Sequence, residues 1–189
     1  MEALLVSTGL VAVAEIGDKT QLLTLVLAAR FRKPWAIVAG ILVATILNHA
    51  LAAWIGLRFA NLLSPDVLRW VLGLSFLAMA AWALKPDTLG DSDRKTVERH
   101  GRRGVFAATT VAFFFAEMGD KTQVATAALA ARFDALSLVV IGSTLGMLAA
   151  NVPVAWLGDA ACRRLPLGAI RIGASALFAA LGVAALFWR

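Results

Sequence analysis

One eight-residue stretch occurs twice in this chain. Ala14-Glu15-Ile16-Gly17-Asp18-Lys19-Thr20-Gln21 returns 102 positions later as Ala116-Glu117-Met118-Gly119-Asp120-Lys121-Thr122-Gln123, and only Ile16 and Met118 differ. Each copy is embedded in an apolar run, residues 3–29 and 105–131. A charged residue at the centre of a membrane-spanning helix costs about 2.5 to 3.5 kcal/mol on insertion scales, so a Glu, an Asp and a Lys within five positions mark a working site.

The spacing limits the geometry to two alternatives. In a continuous helix Glu15, Asp18 and Lys19 share one face, as do Glu117, Asp120 and Lys121. Gly17, Thr20, Thr24 and Ala28, with Gly119, Thr122, Thr126 and Ala130, then form opposite stripes of small residues suited to close helix packing. A helix over residues 4–29 would be about 39 Å long at 1.5 Å per residue, against a hydrocarbon core of roughly 30 Å. The run must therefore tilt, or break at its glycine as the discontinuous helices of many transporters do.

Composition sets the class. Hydrophobic residues make up 60% of the 189 positions and the mean hydropathy is +0.80, whereas soluble domains hold roughly 45–50% apolar residues. Six apolar segments follow, at about residues 3–29, 35–57, 67–84, 105–131, 136–157 and 167–188. The expected fold is an all-α integral membrane protein with six transmembrane helices in two three-helix repeats, 1–84 and 105–189, joined by a charged linker, 85–104. The halves align without gaps from residue 14 to 56, matching Thr24 with Thr126, Gly40 with Gly142 and Trp54 with Trp156. Three spans is an odd number, so the second repeat is expected to be inverted, with the ion site near the midplane at the repeat interface.

Basic residues predict the orientation. Twelve Lys and Arg fall in loops one, three and five and four on the other side, which places the linker in the cytoplasm and both termini outside. The net charge of +6 thus reports orientation, and no nucleic-acid partner is expected. The lone Cys162 excludes an intramolecular disulfide or a cysteine cluster. No basic region precedes the first apolar run, which also contains acids, so a cleaved signal peptide is not expected. Trp35, Trp70, Trp82 and Trp188 lie near segment ends, where tryptophan anchors at the interface.

Glu15, Asp18, Glu117 and Asp120 are the candidate cation ligands. Lys19, Thr20, Gln21 and Asn48 in the first half, with Lys121, Thr122, Gln123 and Asn151 in the second, are candidate supporting groups. Oxygen ligands of this kind suit a hard divalent ion such as Mn²⁺, Ca²⁺ or Mg²⁺. Thiolates are absent and the only candidate histidine, His49, has no counterpart, which disfavours copper and zinc. Four carboxylates and two lysines leave a formal −2 that one divalent ion neutralises. The competing structural reading pairs Glu15 with Lys19 and Glu117 with Lys121 as internal salt bridges, which leaves both aspartates unpaired. Asn48 and Asn151 either line the pathway or bond between helices, and Pro153 points to freed backbone carbonyls in the fifth segment. Glu2, Asp87, Asp91 and Asp93 are expected to lie in water. No nucleophile or histidine ligand set supports an enzyme. An exporter of amino acids or other amine-bearing solutes is the alternative from a different class.

Two copies of E-x-G-D-[KR]-[TS], as Glu15-Ile16-Gly17-Asp18-Lys19-Thr20 and Glu117-Met118-Gly119-Asp120-Lys121-Thr122, resemble the Gdt family of cation transporters, formerly uncharacterised protein family 0016. The resemblance covers nearly the whole chain. It implies transport of Mn²⁺, with Ca²⁺ in some members, in exchange for protons, and in bacteria a role as manganese exporter; the lack of a targeting segment favours a bacterial inner membrane as its location. It also implies that Glu15, Asp18, Glu117 and Asp120 form the cation site. The ion is then a transported substrate and no cofactor is expected. Oligomeric state is left open.

Overall fold

The computed structural model describes residues 1–90, 97, 104–158 and 166–187. Asp91, Asp93, Cys162 and Trp188 lie outside these. The regular structure among the described residues is helical: α1 (Glu2–Glu15), α2 (Lys19–Phe31), α3 (Pro34–Ala60), α4 (Pro65–Ala83), α5 (Val105–Glu117), α6 (Lys121–Phe133), α7 (Leu136–Leu157) and α8 (Leu167–Phe187). The first four recur in order as the second four.

Two of the six expected segments are not single helices. Residues 3–29 divide into α1 and α2, and 105–131 into α5 and α6, with the break at Gly17 and Gly119. Both glycines have positive φ, 81° and 77°, a conformation that costs an L-residue roughly 1–2 kcal/mol. The break is then capped from both sides. Asp18 is N-cap of α2 and accepts from Thr20 N at 3.3 Å, and the Gly17 N–H donates to Gln21 Oε1 at 2.9 Å. In the second half Gly119 N–H donates to Gln123 Oε1 at 2.7 Å. Of the two alternatives left by the sequence, the chain takes the broken one, because Gly, Asp and Gln supply the turn, the cap and the clamp.

Among the described residues, four helices, α3, α4, α7 and α8, are long and apolar enough to cross a bilayer. Pro34 and Pro65 sit at the first helical position of α3 and α4, where the missing N–H costs nothing. Pro153 lies inside α7. Large apolar side chains such as Leu47, Leu74, Ile141 and Leu177 are exposed on the outside, and so are Trp35, Trp70 and Trp82. This is the surface expected of an integral membrane protein.

The halves interlock. α1 packs on α7 as α5 packs on α3, and α2 touches α7 as α6 touches α3. Matched glycines make this possible: a Cβ on Gly40 would stand 2.6 Å from Thr109 Cβ on α5, and one on Gly142 would stand 2.6 Å from Leu4 O on α1. The last helix of each half departs from the pattern. α4 and α8 pack against each other, α8 also against α1 and α4 against α6.

Candidate metal-ion site

The break turns the motif residues inward at one place. One carboxylate oxygen from each of Glu15, Asp18, Glu117 and Asp120 lies within 4.8 Å of all the others. All four residues are buried. The two glutamates end α1 and α5, and the two aspartates cap α2 and α6, so the positive N-terminal ends of two half-helices face the acids.

The threonines belong to this cluster. Thr20 Oγ1 donates to Glu15 Oε2 at 2.5 Å, and Thr122 Oγ1 donates to Glu117 Oε2 at 3.0 Å. Their placement on a packing stripe opposite the charges is thereby corrected. The helical wheel that predicted it fails at the break. Each glutamate keeps one further oxygen, Glu15 Oε1 and Glu117 Oε1, that is buried and accepts no hydrogen bond among the described residues. Two orphaned carboxylate oxygens, one from each half, are costly unless a cation or proton meets them. That donor set fits a hard divalent ion.

The lysines cross between halves. Lys19 Nζ lies 3.2 Å from Asp120 Oδ1, and Lys121 Nζ donates to Asp18 Oδ1. The competing reading, with internal pairs Glu15–Lys19 and Glu117–Lys121, is not what the fold forms, because the break separates each glutamate from the helix that carries its lysine. Both aspartates are instead the paired acids.

Lys121 also donates to Asp87 Oδ2, a residue expected in water. Asp87 follows α4, and the packing of α4 on α6 brings it to Lys121. Burial alone would raise the Asp87 carboxyl. Its hydrogen-bonding contacts with Asp18 and Lys121 and the charges of Lys121 and Lys19 outweigh that and hold it below the usual carboxylate range. Nothing in the motif spacing identifies Asp87, which the tertiary fold alone recruits. Asp18, Asp87, Lys121 and Arg171 line one narrow cleft, of about 10 Å³, where α1, α4, α6 and α8 meet.

The remaining candidates make hydrogen bonds of their own. Gln21 and Gln123 commit their amide oxygens to the glycine N–H groups, and Gln21 Nε2 donates to Ala150 O at 3.0 Å. Asn151 Oδ1 accepts from Thr24 Oγ1 at 2.7 Å, and Asn151 Nδ2 donates to Met147 O at 3.1 Å. Asn48 Nδ2 donates to Phe114 O at 3.0 Å, while its Oδ1 is buried without a partner. His49 Nδ1 pairs with Ser143 Oγ at 2.8 Å.

Comparison with known proteins agrees with this chemistry. The family described as "Divalent cation/proton antiporter GDT1" matches residues 3–91 and 105–188. A Vibrio cholerae protein named "Putative manganese exporter" is 52% identical over 189 residues, covering this whole chain and 92% of that protein. A rice "GDT1-like protein 3" is 29% identical over 168 residues, 77% of this chain and 59% of the rice protein. A GDT1-like protein of Synechocystis is 29% identical over 154 residues, 72% of this chain and 73% of that one. No solved structure matches the chain. With both motifs inside the matched residues, the chain belongs to the divalent cation/proton antiporter GDT1 family of membrane transporters.

Proposed function

We propose that the protein exports a divalent cation, Mn²⁺ foremost, from the cytoplasm in exchange for protons, with Glu15, Asp18, Glu117 and Asp120 as its ligands. The observation that carries this reading is the convergence of four buried carboxylates from both halves, two of them with an orphaned oxygen. The Vibrio cholerae relative's name favours Mn²⁺ over Ca²⁺. Thr20 and Thr122 orient the glutamates, and Lys19 and Lys121 reduce the charge of the empty cluster.

A carboxylate oxygen that coordinates a cation cannot also hold a proton. Metal and protons therefore compete for the same four acids, and arrival of one expels the other. If the loaded and protonated forms can turn to the opposite side and the empty charged form cannot, exchange is obligatory, and an inward proton gradient drives metal out.

The topology that suits this cycle has six crossings in two inverted repeats, 1–84 and 105–189, with the linker 85–104 cytoplasmic and both termini outside. It is supported by the excess of basic residues in loops one, three and five. The membrane is taken to be a bacterial inner membrane.

The test is flux in proteoliposomes that carry a pH dye, with the membrane potential clamped and Mn²⁺, Ca²⁺, Mg²⁺ or Zn²⁺ gradients imposed. Mn²⁺ movement matched by opposing proton movement is expected. Metal flux indifferent to the pH gradient would mean a uniporter or channel. Stabilisation of the purified protein by an amine and not by Mn²⁺ would instead favour solute export.

A further inference from the structure

Lys121 is the one motif lysine that, among the described residues, forms ion pairs with two carboxylates. Its ammonium contacts Asp18 inside the four-acid cluster and Asp87 outside it. Lys19, its counterpart, is paired among the described residues with Asp120 alone and is more exposed. The asymmetry follows the fold: α4 packs on α6, and Asp87, which follows α4, reaches the second-half lysine. The shared ammonium stands in the cleft that Asp18 and Asp87 both line.

An ammonium bridging two carboxylates occupies a place that another cation can take. For an ion to use the Asp18 oxygen that Lys121 holds, Lys121 must give it up. Leaving a buried ammonium without a partner is strongly destabilising. Asp87 removes that obstacle, since the side chain already touches it and can stay paired there.

We propose that Lys121 is a tethered cation that competes with the transported ion for Asp18, and that Asp87 is the positioning residue that receives Lys121 when the ion binds. This rests on the four-carboxylate reading above. Asp87 thereby sets how readily the cluster accepts metal from the cleft, without itself becoming a ligand of the ion. Arg171, on the same cleft wall, adds positive charge that favours keeping an acid at this spot.

The test is a double-mutant cycle on Mn²⁺ binding to the purified full-length protein in detergent, read by titration calorimetry. Asp87→Asn removes the receiving charge and is expected to weaken Mn²⁺ binding about tenfold. Asp87→Glu, which keeps the carboxylate, is expected to stay near the wild-type value. In a Lys121→Met background no ammonium has to be received, so adding Asp87→Asn is expected to change affinity by less than about twofold. An equal loss in both backgrounds would show that Asp87 acts as a bare charge at the cleft and would overturn the proposal. No loss on Asp87→Asn in the native background would overturn it too. If Lys121→Met does not fold, the cycle is run with Lys121→Gln, and the Asp87→Glu comparison stands independently. Asp18→Asn separates the two levels: undiminished Mn²⁺ binding there would remove the four-carboxylate reading itself, whatever Asp87 does.

Discussion

The Lys19 ammonium lies 3.2 Å from the Asp120 carboxylate of the other half, and Lys121 pairs in return with Asp18. Each motif thus supplies the counter-charge of the other, and neither half can hold a balanced site alone.

Neutralising either aspartate should therefore disable the whole transporter even though the other motif is intact. Asp18→Asn and Asp120→Asn are each expected to weaken Mn²⁺ binding roughly a hundredfold, equivalent to about 2.7 kcal/mol. Glu2→Gln, at an exposed position, should behave as wild type. Growth under excess manganese with membrane expression checked measures this, and wild-type resistance in an aspartate variant would remove that residue from the site.

The orphaned Glu15 Oε1 gives a prediction of opposite sign for stability and binding. In Glu15→Gln an amide N–H replaces an unpartnered oxygen amid three other acids within 4.8 Å. The metal-free protein should gain about 1–3 kcal/mol while the Mn²⁺-induced rise in melting temperature disappears. Thermal unfolding with Mn²⁺ and with chelator reads both, and a fall in metal-free stability would contradict the orphan's cost.

Thr20 and Thr122 are expected to matter through their hydroxyls. Thr20→Val keeps the shape and removes the donor to Glu15, a hydrogen bond to a charged group worth about 1.5–3 kcal/mol. Metal affinity should fall at least tenfold, and Thr20→Ser should restore it. Equal behaviour of Val and Ser would mean that Thr20 only fills space.

The break itself can be graded. Gly119→Ala meets no atom within 4 Å and should cost only the strain of its positive φ, about 1–2 kcal/mol. Gly17→Ala has the same strain and also brings its Cβ to 3.0 Å from Leu167 Cδ2, so it should be the more destabilised of the two. Unfolding in detergent would show the order, and a stabilised Gly119→Ala would argue against a fixed break.

Much of this protein was legible as pattern. The charges of 15–21 and 117–123 within apolar runs single out the four acids whose oxygens the fold brings within 4.8 Å of one another, because a bilayer rarely tolerates such residues without a role. The 102-residue offset identifies the doubled architecture, since matching stretches of chain fold alike. Periodicity, however, assumes an unbroken helix. Once Gly17 and Gly119 turn with positive φ, the faces on either side rotate independently. Thr20 then meets Glu15, and Lys19 reaches Asp120 rather than its own glutamate. Asp87 could not be found in sequence at all. Its place beside Lys121 depends on α4 packing against α6, a contact between residues distant in the chain that only the tertiary fold decides.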